Sequence, residues 1–123
     1  MNANVDFQIS GKSFSVVIPN YNHGNYIAES LEAILNQSAK AKEIVVIDDG
    51  STDDSIKIIE QIAQSEASIK LVRNHTNMGS IKSIDKGLRQ TSEEYVTVLS
   101  ADDKVFSGFF EKSMSLLGRY PTA

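Results

Sequence analysis

The sequence contains no cysteine, and it has no long apolar run. Without cysteine, disulfide bonds and thiolate metal sites are excluded, which suits a reducing compartment such as the cytoplasm. No apolar run approaches the roughly 20 residues that a membrane-spanning helix needs. The first residues, 1–12, lack both the basic leader and the apolar segment of a signal peptide. These absences predict a soluble chain without a membrane span.

Basic residues are outnumbered, and they are scattered along the chain. There are 12 Lys and Arg against 16 Asp and Glu, which gives a net charge of −4, and no basic block occurs. We therefore expect no nucleic-acid partner. An anionic ligand would have to be held by a metal ion, a few local cations or backbone N–H groups.

The overall composition is that of an ordinary globular protein, with 41% hydrophobic and 23% charged residues. A chain of 123 residues is long enough for one compact domain with its own core. The polar, irregular residues 1–12 are predicted to form a flexible N-terminal arm. The folded domain is predicted to span residues 13–123.

Short apolar runs alternate with amphipathic patterns along the domain. The runs are typical of buried strands, and Pro19 is expected to end the first one because it has no N–H to donate to a ladder. The alternation predicts an α/β fold with a mainly parallel sheet and helices on both of its faces. The predicted strands are residues 14–18, 43–47, 69–73 and 95–99.

Four helices are predicted, one after each strand, from apolar residues that recur with helical spacing. Residues that can cap a helix N-terminus precede each pattern, and Ser51 with Asp54 resembles a capping box. The other predicted caps are Asn25, Ser80 and Ser107.

Polar residues follow three of the four predicted strands. Because the carboxyl ends of parallel strands share one edge, up to four carboxylates are expected to converge there, where such sheets bind ligands. Such a cluster favours a divalent cation, a hydroxylated ligand, or both, and Mg²⁺ and Mn²⁺ prefer oxygen ligands. The residues are Pro19 to Asn22, Asp48, Asp49, and Ser100 to Asp103.

Each of these stretches also has a purely structural explanation. Asp48 to Ser51 could be a turn with a helix cap, and Asp102 with Asp103 could be a solvated turn. The loop Asn77 to Gly79 could simply lead into a helix, and His23 and His75 are taken as surface residues. The expected position of the three strand ends at one edge is what favours a binding site.

Four stretches, in this order and spacing, resemble family 2 glycosyltransferases of the GT-A fold: SVVIPNYNHGNYIAESLEAILNQ, EIVVIDDGSTDDS, NHTNMGSIKSIDKGL and EEYVTVLSADD. The resemblance runs from about Phe14 to Pro121. It implies a Rossmann-like nucleotide-diphospho-sugar transferase fold, of which this chain carries the donor-binding part. The acceptor-binding half and its catalytic base are expected beyond residue 123, so we expect donor binding without efficient transfer.

The resemblance also implies roles for residues that follow the first two strands. Pro19, Asn20 and Tyr21 would line the pocket for the base and ribose, and Tyr21 would stack on the base. Asp49 would hold the uracil or ribose side of the nucleotide.

Further roles are implied at the end of the fourth strand, where the family's DXD-like motif falls. Asp103 would coordinate a Mn²⁺ or Mg²⁺ ion that bridges the phosphates, and Asp102 would contact the sugar or ribose. Ala101, in the same motif, and Lys82, with the loop Asn77 to Gly79, would flank the nucleotide.

The reaction implied is a single displacement with inversion at the anomeric carbon, in polysaccharide biosynthesis. The donor would be a nucleotide-diphospho-sugar, most simply a UDP-sugar, and the acceptor a saccharide or a lipid-linked molecule. The metal would neutralise charge on the departing diphosphate. We expect a cytoplasmic protein, with the inner face of the membrane as an alternative location for the full-length protein.

Two positions depart from the family pattern. Many members have Asp where this chain has Ser100, so metal binding is expected to be weaker or more selective. An Arg-Asn pair is frequent in the family where this chain has Ile84 and Asp85.

Three other functions remain open at this stage. A non-catalytic nucleotide-sugar-binding module fits the same residues. A nucleotidyltransferase usually has a Gly-rich, basic first loop, and Pro19 to Gly24 contains no Lys or Arg. A receiver domain needs its acidic pair after the first strand, whereas Asp48 and Asp49 follow the second.

Overall fold

Four parallel strands alternate with helices in the computed structural model, which describes residues 13–102 and 108–113. Residues 109–113 are also helical. The predicted arm, residues 1–12, and the predicted cap Ser107 lie outside the described residues. In chain order the elements are β1 (Phe14–Asn20), α1 (Ile27–Leu35), β2 (Glu43–Asp48), α2 (Ser55–Ala63), β3 (Ile69–Arg73), α3 (Ser80–Arg89) and β4 (Tyr95–Val98).

The strand order in the sheet is β3-β2-β1-β4, so the chain reverses its direction of winding between β1 and β4. Strand β1 pairs with β2 over Ser15 to Asn20 and with β4 over Phe14 to Val17. This is the order of a Rossmann-type sheet, in which ligands bind outside the carboxyl ends of the strands at the reversal. The predicted parallel α/β fold is confirmed.

Both faces of the sheet bury apolar side chains, because successive residues of a strand point to opposite faces. On one face, Val16, Ile18 and Val46 pack in one core with residues of α1 and α2. On the other face, Val17, Val45 and Ile47 form a smaller cluster. Burying one such side chain contributes roughly 1.5–3 kcal/mol, so the two clusters dominate the stability of the fold.

Helix α3 lies close to the smaller cluster because it carries a glycine at the contact. A Cβ atom on Gly87 would lie 2.5 Å from Cγ1 of Val17 and 3.0 Å from Cγ1 of Ile47. Ser83, one turn earlier on the same helix, is fully buried. The predicted placement of helices on both faces is therefore confirmed. The close approach of α3 to the sheet also brings the polar side of this helix next to the loop after β3.

The prediction that Pro19 ends the first strand is wrong. Strand β1 continues to Asn20, and Pro19 is in register with Ile47 of β2. The Val17 carbonyl accepts from Leu99 on the β4 side, whereas the Asn20 carbonyl accepts from Asp49 on the β2 side. By alternation, the Pro19 nitrogen faces the β4 side, where pairing has already ended, so the ladder loses no donor.

The predicted helix starts were also wrong by one or more residues. Helix α1 begins at Ile27 without a side-chain cap, and the N–H groups of Tyr26 and Ile27 donate to the His23 carbonyl. Helix α2 begins at Ser55, so the expected capping box of Ser51 and Asp54 does not form.

Strand and helix ends near the third and fourth strands differ less. Ser80 was predicted to cap α3, but Ser80 is the first residue of the helix and its N-cap is Gly79, which has a φ of 93°. Strand β4 ends at Val98, one residue before the predicted end. Such shifts of one residue are within the usual uncertainty of element boundaries.

Candidate functional site

A cleft of about 260 Å³ opens at the carboxyl edge of the sheet, where the strand order reverses. Every strand contributes to it through the residues at its end or in the loop that follows. The lining residues are Pro19, Asn20, Tyr21, His23, Asp49, Asn77, Gly79, Ser80 and Ser100.

Asn20 and Asp48 form the buried base of this edge. The Asn20 side-chain amide donates to Oδ1 of Asp48 at 2.9 Å and to the Ser51 hydroxyl at 3.3 Å. Asp48 also accepts from the Ser51 hydroxyl at 2.6 Å and from the Ser51 N–H at 2.9 Å. Asp48 therefore holds the loop after β2 onto β1, and this explains why Ser51 does not cap a helix.

The prediction that up to four carboxylates converge is not supported by the part of the chain that the structure describes. Asp48 is fully buried, and its carboxylate accepts a hydrogen bond from Asn20 within the protein. Among residues 13–102 and 108–113, no group of three or more His, Cys, Asp or Glu could hold a metal ion. Asp103, the predicted metal ligand, lies outside those residues.

The loop after β1 is tied to the loop after β2 by a second asparagine. Asn22 has a φ of 55°, a left-handed conformation that asparagine tolerates. Its Oδ1 accepts from the N–H groups of Thr52 at 2.8 Å and Asp53 at 3.2 Å. Tyr21, the residue before Asn22, lines the cleft and is 45% exposed, so its ring can be covered by a planar ligand.

Asp49 forms the opposite wall and is almost completely buried. Its Oδ1 accepts from the Met78 N–H at 2.7 Å and the Asn74 amide at 3.0 Å. Its Oδ2 accepts from the Gly79 N–H at 2.9 Å. Burial raises the pKa of Asp49, but these hydrogen bonds outweigh burial and hold the pKa below its usual value of 3.8, so the group is ionised at neutral pH.

Gly50 lets the loops after β2 and β3 touch through their backbones. Its φ is 78°, and a Cβ atom there would lie 3.0 Å from the Asn77 nitrogen and 3.1 Å from the Thr76 carbonyl carbon. A side chain at this position would be strained and would push away the loop that Asp49 holds.

The end of β4 presents an exposed carboxylate. The Ser100 hydroxyl donates to Oδ1 of Asp102 at 2.6 Å, and this bond is the main reason that the pKa of Asp102 lies below its usual value of 3.8. Ala101 is fully buried, and its carbonyl accepts from the Ser30 hydroxyl at 2.6 Å. The Ser100 hydroxyl thus orients the Asp102 carboxylate.

The sequence profile described as "Glycosyl transferase family 2" matches residues 15–123, most of the chain. The chain belongs to glycosyltransferase family 2. A glycosyltransferase of Haemophilus influenzae, described as uncharacterized, is 38% identical over 103 residues, which cover 84% of this chain and 32% of that protein. A second from the same organism is 35% identical, over 84% of this chain and 41% of that protein. The chain thus spans less than half the length of these relatives.

Solved structures confirm the GT-A fold of this chain. S. aureus TarS in complex with UDP-GlcNAc superposes with a TM-score of 0.80 at 29% identity, covering 89% of this chain and 32% of that one. A mannosyltransferase from Pyrobaculum calidifontis, solved with GDP-Man and Mn²⁺, gives a TM-score of 0.80 at 24% identity, over 86% of this chain and 32% of that one. The second likeness concerns the fold alone. Among the residues that the structure describes, no helix is long and apolar enough to cross a bilayer.

Of the seven residues that the sequence predicted to bind the nucleotide, the structure brings four together in the cleft: Pro19, Asn20, Tyr21 and Asp49. Asn77 and Gly79, the ends of the loop predicted to flank the nucleotide, also line the cleft. Lys82 is placed elsewhere, on the exposed side of α3 beside Met78 and Ile81. Ala101 and Asp102 lie next to the cleft residue Ser100. The roles given to all seven residues stay predictions.

Sequence reasoning missed two residues that line the cleft, His23 and Ser80. His23 was taken as a surface residue because an isolated loop histidine carries no pattern. Its place two residues after Tyr21, in the loop after β1, was the available signal, since that loop leads into the reversal of strand order. Ser80 was interpreted only as a helix cap.

Proposed function

We propose that this chain binds the nucleotide-sugar donor of an inverting glycosyltransferase, with a UDP-sugar as the donor. The observation that carries the proposal is the cleft at the strand reversal, which has an exposed aromatic ring, Tyr21, and a buried, ionised carboxylate, Asp49, in its lining. The 29% identical TarS, solved with UDP and with UDP-GlcNAc, supports a uridine nucleotide. The acceptor of the whole protein is proposed to be a saccharide or a lipid-linked molecule.

The cleft residues suit a nucleoside for separate physical reasons. Stacking of a base on an aromatic ring contributes about 1–3 kcal/mol in nucleic-acid-binding proteins, and Tyr21 offers such a ring. A carboxylate accepts strong hydrogen bonds from the N–H or hydroxyl groups of a base or ribose, and Asp49 is ionised. Pro19 and Asn20 also line the cleft, and Lys82 would approach the nucleotide from the exposed side of α3.

A divalent cation, Mn²⁺ or Mg²⁺, is proposed next to the end of β4. Asp102 fits this site because its carboxylate is exposed, is ionised at neutral pH, and is oriented by Ser100. We propose that Asp103 is the metal ligand, that Asp102 contacts the sugar or ribose, and that Ala101 completes this wall. When bound, the cation would act as a Lewis acid on the diphosphate.

In the proposed reaction, an acceptor hydroxyl oxygen forms a bond to the anomeric carbon as the bond to the nucleoside diphosphate breaks. The acceptor proton has to pass to a base. Asp49 accepts hydrogen bonds from the Asn74 amide and from the Met78 and Gly79 N–H groups, so we assign it to donor binding and not to proton transfer. Donor binding without efficient transfer is therefore the activity that we propose for this chain, and a non-catalytic binding module is the alternative.

Isothermal titration of the purified protein with UDP, GDP and dTDP, with and without Mn²⁺, tests this proposal. We expect UDP to bind more tightly with Mn²⁺ than without it, and more tightly than GDP or dTDP. In Asp103→Ala, the gain from Mn²⁺ should disappear while metal-free binding persists. If UDP, GDP and dTDP all fail to bind in the presence of Mn²⁺, the proposal is ruled out.

A transfer assay separates the enzyme from the binding module. If UDP binds and the full-length protein transfers sugar from a UDP-sugar, the binding module is excluded. Binding without transfer by the full-length protein would favour that alternative.

A further inference from the structure

We propose that Lys86 is a positioning residue for the donor site, and that it acts through Asn74 and Asp49 on the loop from Thr76 to Gly79. This inference rests on the proposed function, because it concerns the wall of the same cleft. Lys86 itself lies outside the cleft lining, on the side of α3 that faces the loop after β3.

A continuous chain of hydrogen bonds joins Lys86 to Asp49. The Lys86 ammonium donates to Oδ1 of Asn74 at 2.8 Å. The Asn74 amide nitrogen donates to Oδ1 of Asp49 at 3.0 Å and to the Ser83 hydroxyl at 3.0 Å. A cation, a neutral amide and a carboxylate thus stand in series.

The chemistry of the two ends fixes the orientation of the amide. A lysine ammonium can only donate, and an ionised carboxylate can only accept. The Asn74 oxygen must therefore face Lys86 and its nitrogen must face Asp49. Asn74 is buried, and its backbone N–H donates to the Asp48 carbonyl at 2.8 Å, so the side chain starts from a fixed point at the end of β3.

Asp85, the acid next to Lys86 on α3, does not compete with Asn74 for the Lys86 ammonium, because Asp85 pairs with Arg89. The two charged groups of this pair lie 3.0 Å apart on the exposed side of the helix. Lys86 is half-buried. It lies directly before Gly87, the residue that allows α3 to approach the sheet. That approach is what brings the ammonium within reach of Asn74.

The series of hydrogen bonds from Lys86 to Asp49 affects the cleft because Asp49 holds the loop from Thr76 to Gly79 in place. Asp49 accepts the N–H groups of Met78 and Gly79, and Gly79 lines the cleft together with Asn77. A cation bound to the far end of an amide polarises it and strengthens the bond that its N–H makes. Loss of the Lys86 charge should therefore loosen Asn74, then Asp49, and then the position of the loop.

The test compares the UDP affinity, in the presence of Mn²⁺, of the wild type with that of three lysine variants. Lys86→Met keeps the apolar stem and removes the charge, Lys86→Arg keeps a cationic donor, and Lys57→Met is the matched control on the exposed side of α2. We expect the dissociation constant for UDP to rise about tenfold in Lys86→Met. The free energy of one hydrogen bond to a charged group corresponds to about a tenfold change in an equilibrium constant. Lys86→Arg should recover most of the affinity, and Lys57→Met should change it less than twofold.

Amide hydrogen exchange without nucleotide supplies a second measurement. In Lys86→Met, the Met78 and Gly79 amides should exchange about tenfold faster than in the wild type, while amides of β1 and β2 exchange at unchanged rates. Unchanged exchange at Met78 and Gly79 overturns the inference, as does unchanged UDP affinity in a wild type that binds UDP. If the wild type binds no UDP, the proposed function fails, and the exchange rates still decide whether Lys86 positions the loop.

Discussion

Replacing Asp49 with alanine is expected to weaken UDP binding by about a hundredfold and to destabilise the fold. The carboxylate is almost completely buried and holds the Met78 N–H, the Gly79 N–H and the Asn74 amide. Hydrogen bonds to a charged group contribute about 1.5–3 kcal/mol each, and each buried donor left without a partner costs about 1–3 kcal/mol. Asp49→Ala removes the proposed nucleotide contact and also releases the loop that carries Gly79.

Titration calorimetry measures the loss of affinity, and urea unfolding shows whether the variant is still folded. Asp54→Ala is the matched control, because Asp54 is an exposed acid five residues away whose side chain makes no helix-capping bond. It should leave both the affinity and the free energy of unfolding nearly unchanged. Asp49→Ala that remains folded and binds UDP as tightly as the wild type would remove Asp49 from the donor site.

The pH dependence of stability provides an internal check on Asp49. Its pKa in the folded state lies below the ordinary value of 3.8, so the folded state binds its proton less readily than the unfolded chain does. The stabilisation is then fully present above that ordinary value and is lost as the pH falls through the folded pKa. The wild type should therefore lose stability below about pH 4 more steeply than Asp49→Ala does.

Asn20→Asp is expected to lower the free energy of unfolding at neutral pH by about 3–5 kcal/mol. The Asn20 amide lies 2.9 Å from Oδ1 of Asp48, and both side chains are buried. The substitution replaces a donor by a second carboxylate, so like charges would face each other without water between them. Total stabilities of such domains are about 5–15 kcal/mol, and a loss of this size would leave the variant marginal.

Acid should rescue Asn20→Asp, which distinguishes charge repulsion from a packing defect. Two buried carboxylates at this distance repel each other only while both are ionised, so the penalty disappears as acid protonates one of them. Urea unfolding at pH 7 and at pH 4.5 measures the difference. A variant that is equally unstable at both pH values would contradict this explanation.

Asn22→Asp is the matched control for Asn20→Asp. The side-chain oxygen of Asn22 accepts from the N–H groups of Thr52 and Asp53, and an aspartate keeps that acceptor. Asn22 is also exposed, so a new charge there remains solvated. We expect its free energy of unfolding to stay within about 0.5 kcal/mol of the wild type.

The sheet could be predicted from the sequence because burial on both faces leaves a direct signal. Parallel strands covered by helices need continuous apolar runs, and residues 14–18, 43–47 and 69–73 all fall within strands of the structure. Element ends were less predictable. Pro19 was expected to end β1 because it has no N–H. The pairing of β1 with the short β4 has already ended before Pro19, so the sheet loses no hydrogen bond there.

The cleft was only partly predictable for a related reason. Tyr21 and Asp49 stand directly after buried strands, so the topology alone brings them to one edge. The bond from Lys86 to Asn74 spans 12 residues and depends on how closely α3 approaches the sheet. Neither Lys86 nor Asn74 belongs to a sequence pattern that would have predicted this hydrogen bond. Contacts set by packing distance, such as this one, become visible only in three dimensions.

A crystal structure of the protein with UDP and Mn²⁺ tests the central claim most directly, because the claim concerns where the nucleotide binds. We predict that UDP occupies the cleft between the ends of β1 and β4, with its base against Tyr21, its nucleoside near Asp49, and its diphosphate toward the end of β4. Nucleotide bound at another surface, such as the exposed side of α3 around Ile81, with the cleft left empty, would contradict the account.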